Sequence, residues 1–181
     1  MGKKSAFTLI EILVVATIIG LLAAGAAVSY SSLTKSARDA RRKSDLEQIR
    51  AALEVYRSVN GSYPSTTSAW HGLCTTYNSG YSDTGASGYI PNLAPTYIAK
   101  LPHDPRESQS FSPCNNSANS CYLYKSNGVG YKLLAHCTPE QPITSSDPYF
   151  DSSRVYGAGA GAYVGSSWAL QVSSGGTYAG W

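Results

Sequence analysis

There is no proline ahead of Pro64 and no cysteine ahead of Cys74. Proline interrupts helices because it lacks the N–H and collides with the preceding turn. Its absence leaves the chain from Phe7 to Asn60 free to form one long helix. Charge is scarce as well. Asp, Glu, Lys and Arg make up 14% of the residues and the net charge is only +3, so no basic face argues for nucleic-acid binding. The motifs that carry catalysis are missing: there is no HExxH, no GxSxG, no P-loop and no GxGxxG opening a helix. His71, His103 and His136 are scattered, with no carboxylate at a useful spacing. The Gly/Ala tract Gly157–Gly161 lacks the lysine and the strand–helix setting of a phosphate loop and reads as a plain loop. These absences argue against an enzyme and give no reason to expect a cofactor.

What is present divides near residue 60. Before it lie most of the aliphatic residues and only three of the 17 glycines; after it lie 12 of the 14 tyrosines, all nine prolines and all four cysteines. Through Arg57, nine Lys/Arg face five Asp/Glu, whereas the remainder has five against six. A helical part is joined to a loop-rich β head. An even number of cysteines in that head indicates two disulfides and an oxidising compartment. Zinc is the competing reading, but Cys114 and Cys121 are too far apart for a knuckle pair and Cys74 and Cys137 stand alone. Of the three pairings four cysteines allow, the expected one joins Cys114 to Cys121 across a short polar loop and Cys74 to Cys137, tying the early loop to a strand.

Lys3 and Lys4 precede an apolar run from Phe7 to Val28. As a helix it would measure about 33 Å, enough to cross a hydrocarbon core of about 30 Å. A cleaved secretory signal would suit the basic start and the small residues Ala24-Gly25-Ala26, but the run is long for one. Neither a signal nor a plain anchor needs Glu11. A carboxylate at membrane depth costs about 2.5–3.5 kcal/mol on insertion scales and calls for a specific partner.

The residues Lys3-Lys4-Ser5-Ala6-Phe7-Thr8-Leu9-Ile10-Glu11 resemble the processing site of type IV prepilins and of type II secretion pseudopilins. The resemblance implies a leader of residues 1–6, cut between Ala6 and Phe7 on the cytoplasmic side by a dedicated prepilin peptidase that also methylates the new Phe7 terminus. Glu11 is then the acidic residue four positions beyond that terminus. The family usually has Gly before the cut; Ala6 stands there instead, which bears on the speed of processing. The cut would create a cationic Phe7 amine able to neutralise Glu11, in its own subunit or in a neighbour. Pairing across subunits would fix the stagger of packed helices, as one buried polar residue fixes register in a coiled coil. The plainer role for Glu11 is to complement its own helix N-terminus. Lys35, Arg38, Arg41, Arg42 and Lys43 follow the apolar run. A bare positive-inside count would therefore put the head in the cytoplasm, against the direction given by the cysteines and the leader.

Gly61 suits the residue just past a helix end, and Pro64 prevents continuation. Gly20 and Gly25 either admit close helix packing or, as the resemblance suggests, let the helix stretch on assembly. Leu33, Ala37 and Ala40 share one face, while Leu46, Ile49, Leu53 and Tyr56 recur on roughly the opposite one. Two stripes imply two partners: other helices near the membrane end and the head near Tyr56. The pairs Asp39/Lys43, Arg41/Asp45, Glu47/Arg50 and Glu54/Arg57 stand at i+3 or i+4 and describe a mostly solvated face.

In the head, residues 60–105 read mostly as loop with short helical pieces. Tyr122–Lys125 and Tyr131–Ala135 look like strands joined through Asn127-Gly128, a hairpin signal, and Trp168–Val172 reads as a later strand. Leu101-Pro102-His103-Asp104-Pro105 resembles a loop ahead of the strands in major pseudopilins that in some members helps build a calcium site. Beside Asp104, Asp147 and Asp151 are candidates only by composition, and so few carboxylates assign no metal site.

The expected fold is α+β and pilin-like, in three parts: leader 1–6, long helix 7–60 with 7–28 transmembrane, and a small antiparallel β head over 61–181. The implied function is that of a structural subunit of a type IV pilus or a type II secretion-like pseudopilus, which polymerises and catalyses nothing. Its implied partners are copies of itself or sister pilins, the prepilin peptidase, a platform membrane protein and, through it, the assembly ATPases, with membrane lipid before assembly. It would be a single-pass protein of the cytoplasmic membrane, then part of a surface or periplasmic filament. Adhesion, motility, DNA uptake and secretion remain open uses of such a filament. The rival is a membrane-tethered binding or enzymatic domain that never polymerises and keeps its start at or next to Met1.

Overall fold

The computed structural model describes residues 7–78, 80–109, 119–157 and 163–181. Ala6, Cys114 and the Gly/Ala tract beyond Gly157 lie outside these residues. Helix α1, Leu9–Asn60, runs unbroken through Gly20 and Gly25. It ends where glycine permits: Gly61 adopts φ +75°, and its N–H donates to the Arg57 carbonyl at 2.8 Å.

The chain forms two compact units, Met1–Ala37 and Arg38–Trp181. In the first, Phe7, Leu9, Ile10, Ile12, Leu13, Ile18, Ile19, Leu21 and Leu22 are exposed. The second unit takes in the latter half of α1, which is therefore part of the packed head.

Four strands make one antiparallel sheet in the order β1-β2-β3-β4: β1 His71–Gly72, β2 Cys121–Ser126, β3 Tyr131–His136 and β4 Ala169–Ser173. The three longer strands fall within a residue of where they were expected. The β2–β3 connection is a longer loop than a two-residue turn, since Ser126 pairs with Tyr131. Asn127 shapes it by accepting the N–H groups of Val129 and Gly130 on Oδ1, both at 3.0 Å, while Gly128 takes φ +88°.

Each face of the sheet is covered. Tyr122, Tyr124, Tyr131, Leu133, Ala135 and Leu170 pack with Leu46, Ile49 and Leu53 of α1. On the other face Cys121, Leu123, Leu134 and Ala169 lie beneath Trp70, Tyr77 and Trp168. Lys125 sits over the Trp70 and Trp181 rings and Arg154 over those of Trp70 and Trp168, at 4.6–5.7 Å from the ring centres.

A disulfide joins Cys74 to Cys121, with Cα atoms 5.4 Å apart. This corrects the expected connectivity: Cys74 does not bond Cys137, and Cys121 does not bond Cys114. The reason is β1, too short to read from sequence. Its pairing of Gly72 with Leu123 brings Cys74 beside the start of β2. Cys137 is also disulfide-bonded.

Ile49 is fully buried between α1 and the sheet. Ile49→Ala is expected to destabilise the head by about 2–5 kcal/mol, read as a lowered denaturant midpoint for the full-length chain in detergent.

Candidate functional site

The start of α1 is closed by a reciprocal cap. Thr8 precedes the first helical residue, and Glu11 is the third residue of the first turn. The Thr8 N–H and hydroxyl both donate to Glu11 Oε2 at 2.7 Å, and the Glu11 N–H reaches back to Thr8 Oγ1 at 3.4 Å. This is the capping-box arrangement of a Thr followed three residues on by Glu. It employs one carboxylate oxygen; among the described residues no donor meets Oε1. Phe7, beside it, is 81% exposed. In the single chain, then, Glu11 serves its own helix and keeps an oxygen for a further donor.

The second half of α1 meets the head along a seam longer than the apolar pattern shows. Asp39, Arg42, Leu46, Ile49, Leu53 and Tyr56 follow one another at alternating steps of three and four. All but Tyr56 are buried, and Tyr56 packs against the core. The first two members are charged, and the Arg42 side chain is 0% exposed.

Arg42 Nε and Nη2 donate to the two oxygens of Asp104 at 2.6 and 3.0 Å, and Nη1 donates to Asp39 at 2.7 Å and to Glu140 at 3.1 Å. Arg38 forks onto Glu140 with two bonds of 2.6 Å, and Arg106 adds a third at 3.1 Å. Asp39 in turn accepts the backbone N–H groups of Glu140 and Gln141, and Asp104 that of Arg106. Three guanidiniums thus face three carboxylates with their lone pairs occupied, the condition under which buried charge is tolerated.

Burial alone would lower the Arg42 pKa, but Asp104 and Asp39 hold it above its ordinary value. Burial likewise would raise Glu140, yet the guanidiniums of Arg38, Arg42 and Arg106 bring it down to about 2. Tyrosines extend the seam. Tyr122 donates to Asp45 at 2.7 Å, Tyr149 to Glu47 at 3.2 Å and Tyr63 to Glu54 at 2.9 Å.

These contacts revise the solvated-face reading of the helix charges. Glu47–Arg50 does pair on the surface at 2.5 Å, while Arg41 reaches the buried Asp45 at 3.9 Å. Lys43 leaves Asp39 for Asp147 at 2.5 Å, and Arg57 and Glu54 meet through the Tyr63 hydroxyl. Of the five basic residues after the apolar run, Arg38, Arg42 and Lys43 are paired with head carboxylates. The folded head therefore pairs three of the five basic residues that enter the positive-inside count.

The candidate metal ligands are not brought together. Asp104 is held by Arg42, Asp147 by Lys43, and Asp151 by Lys132 at 2.8 Å and Arg154 at 2.9 Å. Nor do the histidines converge: His103 lies between Glu107 and Asp83, His71 stacks on Tyr81, and His136 stands edge-on to Trp168. Among the described residues no group of three or more His, Cys, Asp or Glu is placed to hold a metal. The Asp39–Arg42–Asp104–Glu140 cluster escaped the sequence reading. Its only signal there is that Asp39 and Arg42 continue the spacing of Leu46, Ile49 and Leu53.

A head that grips half of a helix whose other half is an exposed apolar rod is built to join others along that rod, which defines the pilin-like class of filament subunits. Known proteins narrow the class. Residues 1–27 match the prokaryotic N-terminal methylation motif, and residues 30–129 match type II secretion system protein G. The type II secretion system core protein G of Pseudomonas aeruginosa is 36% identical over 105 residues, covering 57% of this chain and 68% of that protein. Its counterpart in Klebsiella pneumoniae is 30% identical over 131 residues, covering 71% and 89%. That of Escherichia coli K12 is 32% identical over 108 residues, covering 57% and 67%. No solved structure matches. The chain belongs to the type II secretion system protein G family, the pseudopilins, and is a structural subunit of a pseudopilus rather than an enzyme.

The charge cluster generates an acid dependence. Glu140 has a folded pKa of about 2, below the unfolded carboxylate value of about 4.3. Its contribution to stability is therefore complete above that unfolded value and is lost as pH falls through the folded one. Thermal melting across this range should show the wild type losing stability, while Glu140→Gln, already weaker at neutral pH, loses less.

Proposed function

We propose that the chain is made as a prepilin, cut between Ala6 and Phe7 and N-methylated at Phe7. Residues 7–28 then hold it in the cytoplasmic membrane with the head over 61–181 outside, until it is drawn into a periplasmic pseudopilus. The observation that carries this reading is the bare apolar surface of α1, where Phe7, Leu9 and Leu21 are 81%, 83% and 76% exposed. At ~25 cal/mol per Å² of apolar area, such a surface belongs in lipid or against other helices, and it meets both in turn. Leu33, Ala37 and Ala40 are likewise exposed and offer apolar or small side chains for helix packing.

The cap at Glu11 supports a role for this residue in assembly. The cap with Thr8 holds the carboxylate in place, and its open Oε1 receives the Phe7 amine of a neighbouring subunit. The partners are other pseudopilins along the helix, the prepilin peptidase at Ala6 and Phe7, and a platform membrane protein through which assembly ATPases act.

Mass spectrometry of the mature chain should find its N-terminus at Phe7, carrying one methyl group; a start at Met1 would favour a simple anchor. Glu11→Gln keeps the shape and removes the charge. It should be processed and inserted normally but accumulate in the membrane fraction, with little sheared filament. Normal filament yield from this variant would exclude pairing between subunits.

A further inference from the structure

The apolar part of the seam does not by itself say which turn of α1 the head should grip. Leu46, Ile49, Leu53 and Tyr56 repeat every seven residues, and a slip of seven rotates a straight helix by only about 20° while moving it about 10.5 Å. With such a slip Leu53 takes the place of Leu46, and Tyr56 that of Ile49. The third position becomes polar, with Asn60 in place of Leu53, and the fourth passes beyond the helix end.

The charged part of the seam forbids that move in both directions. One way, Ile49 and Leu46 arrive opposite Asp104 and Glu140, which lose Arg42 while buried at 4% and 3% exposure. The other way, Arg42 and Asp39 enter the apolar places of Ile49 and Leu46. Each direction strands buried charge, which is the situation that costs most. The paired form has no such penalty, because three positive and three negative groups close on one another.

We propose that the Arg42-centred cluster, rather than the apolar stripe, sets the register of α1 against the head, Arg42 being the positioning residue and Asp104 and Glu140 its receptors. Apolar burial then supplies affinity between helix and sheet, and the ion cluster selects one alignment from those the stripe would accept.

The native contact between Lys43 Nζ and Asp147 Oδ2, 2.5 Å apart, reports the register. A zero-length carbodiimide joins an amine to a carboxylate only when they touch, so a slip of two turns removes this cross-link. The experiment uses the full-length chain in detergent, with cross-linked peptides read by mass spectrometry. Arg42→Met combined with Asp104→Leu removes one charge of each sign and puts similar apolar volume in the seam. A cooperative melting transition with the Lys43–Asp147 cross-link lost is the expected result. An undiminished cross-link in that folded double variant would overturn the proposal. Should the double variant not fold, Leu53→Ala decides. It weakens the stripe and leaves the cluster whole, so a lower melting temperature with an unchanged cross-link supports the proposal, and loss of the cross-link refutes it.

Discussion

A guanidinium with no exposed side-chain surface must be matched by charge from every side, and Arg42 imposes that demand on the head. It draws Asp104 from the loop that follows Leu101, Glu140 from the turn after β3, and Asp39 from its own helix. Arg38 and Arg106 complete the balance around Glu140. Two loops far apart in sequence are thereby fixed to one turn of α1. The apolar layer of Leu46, Ile49 and Leu53 against the sheet begins one turn further on. Tyr122, Tyr149 and Tyr63 then continue polar attachment to the helix acids beside that layer. The Tyr excess in the head has a use here: each ring fills apolar space while its hydroxyl reaches a carboxylate.

The helix has two halves with opposite requirements. The first exposes aliphatic side chains along its length. The second is packed and ion-paired against the sheet and its loops. The same backbone serves both because nothing in it interrupts the helical hydrogen bonds, and because the change of character is carried entirely by side chains between Leu33 and Leu46. Lys35 and Arg41 remain exposed in this interval, whereas Arg38, Arg42 and Lys43 are engaged by the head.

Much of this was legible in the sequence. The absence of proline, the Gly61 exit and the apolar periodicity give α1, and short runs rich in Tyr and aliphatic residues, the first two flanking Asn127-Gly128, give β2, β3 and β4. Local patterns suffice for those elements because each is long enough to repeat its own signal. The β1 strand has two residues and no period, so it was invisible, and the disulfide partner of Cys74 was misjudged with it. The charge cluster was hidden for a different reason. Asp39 and Arg42 stand at helical spacings that usually mean surface pairs, and only the distant Asp104 and Glu140 turn them inward. The Thr8–Glu11 cap shows the converse: its short spacing was in plain view as a prepilin feature, and the helix-closing role was the plainer of the two readings considered.

The Cys74–Cys121 bond spans 47 positions in sequence and so converts the excursion between them into a covalent ring. Asp104 and Arg106 are carried on that ring. On the chain-entropy account, closing a ring of this size removes about 4 kcal/mol of freedom from the unfolded state. The carboxylate that receives Arg42 is thus delivered by a tethered circuit instead of a free loop. A head kept under reducing conditions would hold the same side chains yet offer Arg42 a partner that must be found afresh from a much wider ensemble.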